Sequence, residues 1–315
     1  MENERQGVMK TEKILEKIEG AGQLIISDEK GKKLLSISAA ELAKIMGGKD
    51  SPEDLYADVV NERINDAEIQ SRASALGIKS DVHRALYLME LEADPGSDAK
   101  QEAMQLLHEL YSADKSAVII NSGRNDLILI HALSSKKEAE LMKENADKAL
   151  SMLNTELMIK LRIAYGKVAQ TIGDLKESLR EARFALEVVK TFYEERLVAD
   201  YSSLGIGGMI GDLSDTACER FLNECFGSGL HSRLDEEELQ MVNRFFEKDL
   251  NISETARELY LHRNTLVYHL EKLQKKTGLD IRNFDDACRL KLALMIESKR
   301  ASLSADQRRE STHAQ

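Results

Sequence analysis

From Asn251 to Leu273 polar and apolar residues alternate at helical spacing, with one interruption. Leu259, Leu261, Leu266, Leu270 and Leu273 recur so that they predict a core shared by two short helices, 252–259 and 263 to about 275, with almost no linker. Asn251 is the expected N-cap of the first helix, and Glu254 stands at the reciprocal position of a capping box. Ala256 falls where the helices cross, and its small side chain permits close approach. The second helix is left with His262, Arg263, Asn264, Thr265, Val267, Tyr268 and Lys272 at its start and on its outer face. Most of these side chains can reach base edges or phosphates. A helix pair of this kind docks in the DNA major groove, but it also occurs as a plain helical hairpin. Spacing alone leaves both open.

Upstream, residues 1–50 predict a small region of a helix (11–19), two strands (24–27 and 33–37) around a turn at 28–31, and a helix starting at Ser38. Ser38 and Glu41 have capping-box spacing, and Gly47 and Gly48 stop that helix. Such a segment is too short to enclose a ligand pocket alone. Residues 51–201 alternate strands and helices. A helical hairpin over 55–76 carries Leu55, Val59, Ile64 and Ile69. A β-leaning run at 85–92 and a turn at 94–97 follow, then a helix over 100–111 and strands at 116–121 and 126–132. A helix over 138–154, a strand at 159–165 and a helix over 174–190 complete the set. The last helix puts Leu175, Leu179, Ala182, Leu186 and Val189 on one face. The order predicts a mixed α/β (α+β) middle domain. Residues 202–238 are the expected helical connector, with a helix at 215–226 and a flexible Gly227-Ser-Gly. Residues 239–298 form an all-α domain, and 299–315 a polar, unstructured tail.

Composition narrows the class. With 315 residues, 42% hydrophobic and 31% charged, the chain is expected to be a soluble protein of two or three domains. No apolar run reaches membrane-spanning length, and the N-terminus lacks a signal-peptide core. Cys218, Cys225 and Cys288 have no metal-ligand spacing and read as free thiols of a reducing cytoplasm. The net charge of −11 is unevenly spread: residues 245–300 hold eleven basic against nine acidic residues, a balance of +2 that leaves −13 elsewhere. Within 262–282 the balance is five to two. A local basic stretch therefore offsets long-range repulsion from DNA, and binding is expected to depend strongly on salt. The glycines of 205–211 lack the Lys-Ser/Thr of a phosphate loop and read as a flexible turn.

Ser253-Glu-Thr-Ala-Arg-Glu-Leu, His262-Arg-Asn-Thr-Leu-Val-Tyr-His-Leu and Thr277-Gly-Leu-Asp together resemble the C-terminal helix-turn-helix domain of the PucR/CdaR transcription regulators. The likeness spans about 239–296. Val267 departs from it, since relatives usually carry a basic residue there; Tyr260 stands where many helix-turn-helix proteins have glycine, although this family tolerates an aromatic there. The run from Tyr165 to Leu186, with the element order before it, is similar to the degenerate GGDEF-like domain of the same regulators over about 55–201. Active cyclases of that fold need a Gly-Gly-Asp-Glu-Phe hairpin. Here the matching residues are Gly123-Arg124-Asn125-Asp126-Leu127, with one glycine gone and the acidic pair broken. The carboxylate of Asp126 remains a conceivable Mg²⁺ ligand.

The resemblance implies a non-catalytic, cytoplasmic regulator of a bacterial catabolic operon, without cofactor or metal. It would bind double-stranded DNA as a homodimer or higher homo-oligomer, with a small-molecule effector of unspecified chemistry and no membrane partner. The DNA-binding residues expected are His262, Arg263, Asn264, Thr265, Tyr268 and Lys272, Arg263 being the direct base contact. Three other classes compete: a nucleotide or metabolite sensor without catalysis, a nucleotide cyclase, and a protein-interaction scaffold.

Overall fold

The computed structural model describes residues 23–27, 33–38, 51–93, 98–135, 140–226 and 234–313; for the first two segments and beyond residue 304 it describes the backbone only. The expected helices at 11–19 and after Ser38, and the turns at 28–31, 94–97 and 227–229, lie outside these residues.

Strands β1 (Gln23–Ser27) and β2 (Lys33–Ser38) pair antiparallel, Leu24 opposite Ile37. Helices α1 (Pro52–Val60) and α2 (Asp66–Ala75) then form the expected hairpin. Ser51 and Asp54 close a capping box on α1, and Leu55, Val59 and Ile69 are buried. Ile64 falls in the connection and is half-buried.

The remaining chain supplies β3 (Arg84–Leu91), α3 (Ala99–Leu110), β4 (Val118–Ser122), β5 (Asp126–Ala132), α4 (Met142–Leu157), β6 (Leu161–Tyr165), α5 (Leu175–Phe192) and β7 (Val198–Asp200). Five strands make one mixed sheet in the order β4-β5-β3-β6-β7. β4 and β5 are antiparallel, β3 and β6 antiparallel, and β6 and β7 parallel. The near-continuous burial of β3, β5 and β6 is that of strands covered on both faces. All five apolar positions expected on α5 are buried. The three-residue β7 is too short to leave a periodic signal in the sequence.

The chain divides into two compact units: residues 1–86, 93–142 and 168–179 form one, and residues 87–92, 143–167 and 180–315 the other. In the first, Arg84 is buried and donates through Nε to the Tyr56 hydroxyl at 3.0 Å, and through its terminal nitrogens to the carbonyls of Lys79 and Val82 at 2.5 and 2.6 Å. Each nitrogen of the guanidinium thus has a hydrogen-bond acceptor where the charge enters the core. In the second, Glu90 accepts from Lys190 at 2.7 Å, and Glu92 pairs with Arg162. β3 is interior to the sheet.

The second unit continues into α6 (Gly205–Asp212), α7 (Asp215–Phe226), α8 (Glu236–Glu247), α9 (Ile252–Glu258), α10 (Arg263–Thr277) and α11 (Phe284–His313). Helix α6 corrects the expectation of a flexible turn at 205–211. Two of its glycines serve close packing against α5 and the residue that follows it: a Cβ on Gly207 would lie 2.7 Å from Tyr193 Cε2, and one on Gly211 would lie 2.8 Å from Phe184 Cζ. Lys299 of α11 donates to the carbonyls of Gly211 and Leu213 at 2.7 and 2.5 Å, capping the α6 C-terminus. Gly211→Val is expected to lower stability by about 1–3 kcal/mol through overpacking, read as a lower thermal midpoint. A midpoint at or above wild type would show that the contact relaxes freely. α11 also runs through the polar segment expected to be unstructured, reaching His313. That segment, Ala301-Ser-Leu-Ser-Ala-Asp-Gln-Arg-Arg-Glu, contains neither glycine nor proline to stop a helix already started.

Candidate nucleic-acid interface

The C-terminal helices share one apolar core. Met241, Val242 and Phe245 from α8, Ala256 from α9, Leu266, Leu270 and Leu273 from α10 and Leu290, Ala293 and Ile296 from α11 are buried together. α9 and α10 therefore present their polar faces from a fixed platform. Asn251 caps α9, accepting from the amides of Ser253 and Glu254 at 3.0 and 3.2 Å. The reciprocal half of the expected capping box is replaced, because the Asn251 amide donates to the Lys248 carbonyl at 2.9 Å. Leu259 and Leu261 are half-buried, and the other three leucines of the predicted stripe are buried.

The turn between the helices is a Schellman closure. Leu261 N–H donates to the Ala256 carbonyl at 2.8 Å, and Tyr260 N–H to the Arg257 carbonyl at 3.2 Å. His262 then caps α10. Its Nδ1 accepts from the Asn264 amide at 3.3 Å, and its carbonyl accepts from the Thr265 amide at 2.9 Å. α10 ends on Gly278 at φ +81°, a left-handed cap that suits glycine.

His262, Arg263, Asn264, Thr265, Tyr268 and Lys272 are all exposed. The first four form a contiguous polar set at the helix start, where backbone amides favour phosphate. Tyr268 lies edge-on to His269, with centroids 5.9 Å apart. Lys272 is drawn toward its own domain, its Nζ 3.6 Å from Glu238 Oε1. Lys276 donates to both oxygens of the buried Glu238 carboxylate at 2.6 and 2.7 Å. That bond holds the Lys276 ammonium above the ordinary lysine range. Arg282 is similarly paired with Asp280. Much of the basic excess of 262–282 is thus offset inside the domain, whereas Arg263 and Lys275 stand exposed. Glu238 escaped the sequence reading, although the Asp235-Glu-Glu-Glu238 spacing is that of a capping box, which α8 carries.

The other candidate site was the β4–β5 hairpin. Gly123 has φ +66°, as a tight turn requires. Lys100 donates to the carbonyls of Gly123 and Arg124 at 2.7 and 3.2 Å, and Asn125 donates through Nδ2 to the Ala93 carbonyl at 3.2 Å. Burial pushes the Lys100 ammonium below the ordinary lysine range, opposed by the charge of Asp126. The tip carbonyls are therefore occupied by the protein's own cation. Among the described residues, no helix is long and apolar enough to cross a membrane.

Fold and site define a helix-turn-helix domain following a mixed α/β domain. Comparison with known families gives the particulars. Residues 61–188 match the GGDEF-like domain, and residues 239–296 match the PucR C-terminal helix-turn-helix domain. The chain thus carries a match to each of these two domains, in this order.

The carbohydrate diacid regulator of Escherichia coli (strain K12) is 24% identical over 79% of this chain and 66% of its own length. The purine catabolism regulatory protein of Bacillus subtilis (strain 168) is 24% identical over 74% of this chain and 46% of its own. The proline-responsive transcriptional activator PutR of the same organism is 24% identical over 80% of this chain and 63% of its own. The chain spans from about half to two-thirds of these relatives.

Proposed function

We propose that the protein is a sequence-specific, DNA-binding transcription regulator that reads the major groove with the start of α10. The observation that carries this is the exposed set His262-Arg263-Asn264-Thr265, capped and held on a buried leucine core within a PucR-type helix-turn-helix domain. Arg263 pairs bidentately with guanine, Asn264 contacts adenine or phosphate, and His262 and Thr265 fix the backbone. Tyr268 and Lys272 are phosphate contacts farther along the helix. Regulator names among the relatives support the reading, as does the two-domain match. The active form is a cytoplasmic homodimer or higher homo-oligomer on paired half-sites, and its target is a catabolic operon.

Salt titration tests the electrostatic part. The affinity of the full chain for duplex DNA should fall linearly on logarithmic axes as salt rises. Glu238→Gln frees Lys276 from its carboxylate and should steepen that slope by about one as the ammonium reaches phosphate. A slope unchanged in the variant would place Lys276 off the DNA.

The GGDEF-like domain is not a cyclase in this reading. Its hairpin lacks the paired acids, and its tip is tied down by Lys100. GTP with Mg²⁺ should be recovered unchanged after incubation with the full chain; a cyclic dinucleotide product would overturn the assignment.

A further inference from the structure

The chain has eight tyrosines, seven phenylalanines and no tryptophan. Among the described residues, the aromatic side chains that are exposed are Tyr260, Tyr268 and Phe284, and all three lie within the helix-turn-helix match. Tyr260 is the extreme at 96% exposure, with its ring contributing nothing to the core. It also occupies the left-handed position of the Schellman turn at φ +55°. Glycine is usual there, because a Cβ in that conformation costs about 1–2 kcal/mol. α10 and α2 do end on glycine, Gly278 at φ +81° and Gly77 at φ +68°.

Backbone conformation by itself does not single out Tyr260, since Glu62, Met158, Asp249 and Leu250 also have positive φ. Glu62 and Asp249 are polar, and Leu250 packs against the core. Met158 shares the exposure, at 90%, but is a flexible chain without a hydrogen-bond donor. Tyr260 combines a rigid ring, a hydroxyl donor and a place three residues before Arg263. A tyrosine brings contact area and a donor at low entropic cost, which suits a binding surface.

We infer that Tyr260 is a backbone-positioning DNA contact, its ring packing on deoxyribose and its hydroxyl donating to a phosphate oxygen. The contact carries no sequence information; it holds α10 in register so that Arg263 can read a base. The inference rests on the DNA-binding reading above.

The test uses the full chain as wild type, Tyr260→Gly, Tyr260→Phe and Arg263→Ala, each titrated with a random-sequence duplex at low salt and with a duplex that wild type selects. Tyr260→Gly should lose about tenfold in affinity, the scale of one hydrogen bond to a charged group, and by the same factor on both duplexes. Its thermal midpoint should match or exceed wild type, because glycine relieves the left-handed strain. Tyr260→Phe should recover part of the loss. Wild-type affinity for Tyr260→Gly on both duplexes, with Arg263→Ala weakened, would overturn the inference alone. A changed sedimentation coefficient for Tyr260→Gly would assign the ring to self-association and overturn it as well. Failure of wild type to bind even random duplex at low salt would remove the DNA-binding reading and this inference together.

Discussion

Arg263→Ala should weaken operator binding by about 1–3 kcal/mol, roughly 5- to 150-fold, and relax specificity at a single base position. The guanidinium stands exposed at the first residue of α10, where the His262 cap fixes the helix start. A bidentate pair to guanine loses both hydrogen bonds on truncation, and the base is left without its partner. Folding should be untouched, because an exposed helix-terminal arginine contributes little to stability and alanine is a good helix former. The unfolding midpoint of the variant should therefore coincide with wild type. A phosphate contact would behave otherwise, weakening all sequences equally and lowering the salt slope by about one.

Phe245→Ala should have the opposite profile. The ring is fully buried at the centre of the C-terminal core, and truncation should cost about 3–5 kcal/mol. Against a typical domain stability of about 5–15 kcal/mol, that is a large share. Specific and random DNA should be lost together, in proportion to the fraction unfolded, with circular dichroism reporting the lost helix. Retained operator binding with a normal melt would mean that α8 is dispensable to the platform that presents α10. The two substitutions thus separate the reading surface from its support.

What the sequence revealed of this protein follows from where periodicity is strong. The leucine stripe of 259–273 and the five buried positions of α5 have clean helical spacing, and their helices lie where that spacing puts them. β3, β5 and β6 were legible as apolar runs bounded by turn residues. Glycine misled at 205–211. Its usual association with turns hid a helix whose Gly207 and Gly211 allow contact with Tyr193 and Phe184, a requirement set by the partner helix and invisible locally. Likewise, polarity after Lys299 does not forbid a helix that continues from a packed one.

At the candidate site, the exposed polar set from His262 to Thr265 was readable from the face pattern. The diversion of Lys272 and Lys276 to Glu238 was not, because it depends on a contact between helices 34 and 38 residues apart in sequence. Tyr260 could be marked in the sequence only as a departure from glycine. Its positive φ and its exposure needed the fold.

The most direct test of the central claim is selection of bound sequences from a random duplex pool, run in parallel with wild type and Arg263→Ala. A homodimeric reader should recover a motif of two half-sites about one helical turn apart. The variant should return the same motif with one position per half-site degraded. Identical motifs from both proteins would contradict the role of Arg263, and no enrichment by wild type at either low or physiological salt would contradict the assignment of α10 as a DNA-reading helix.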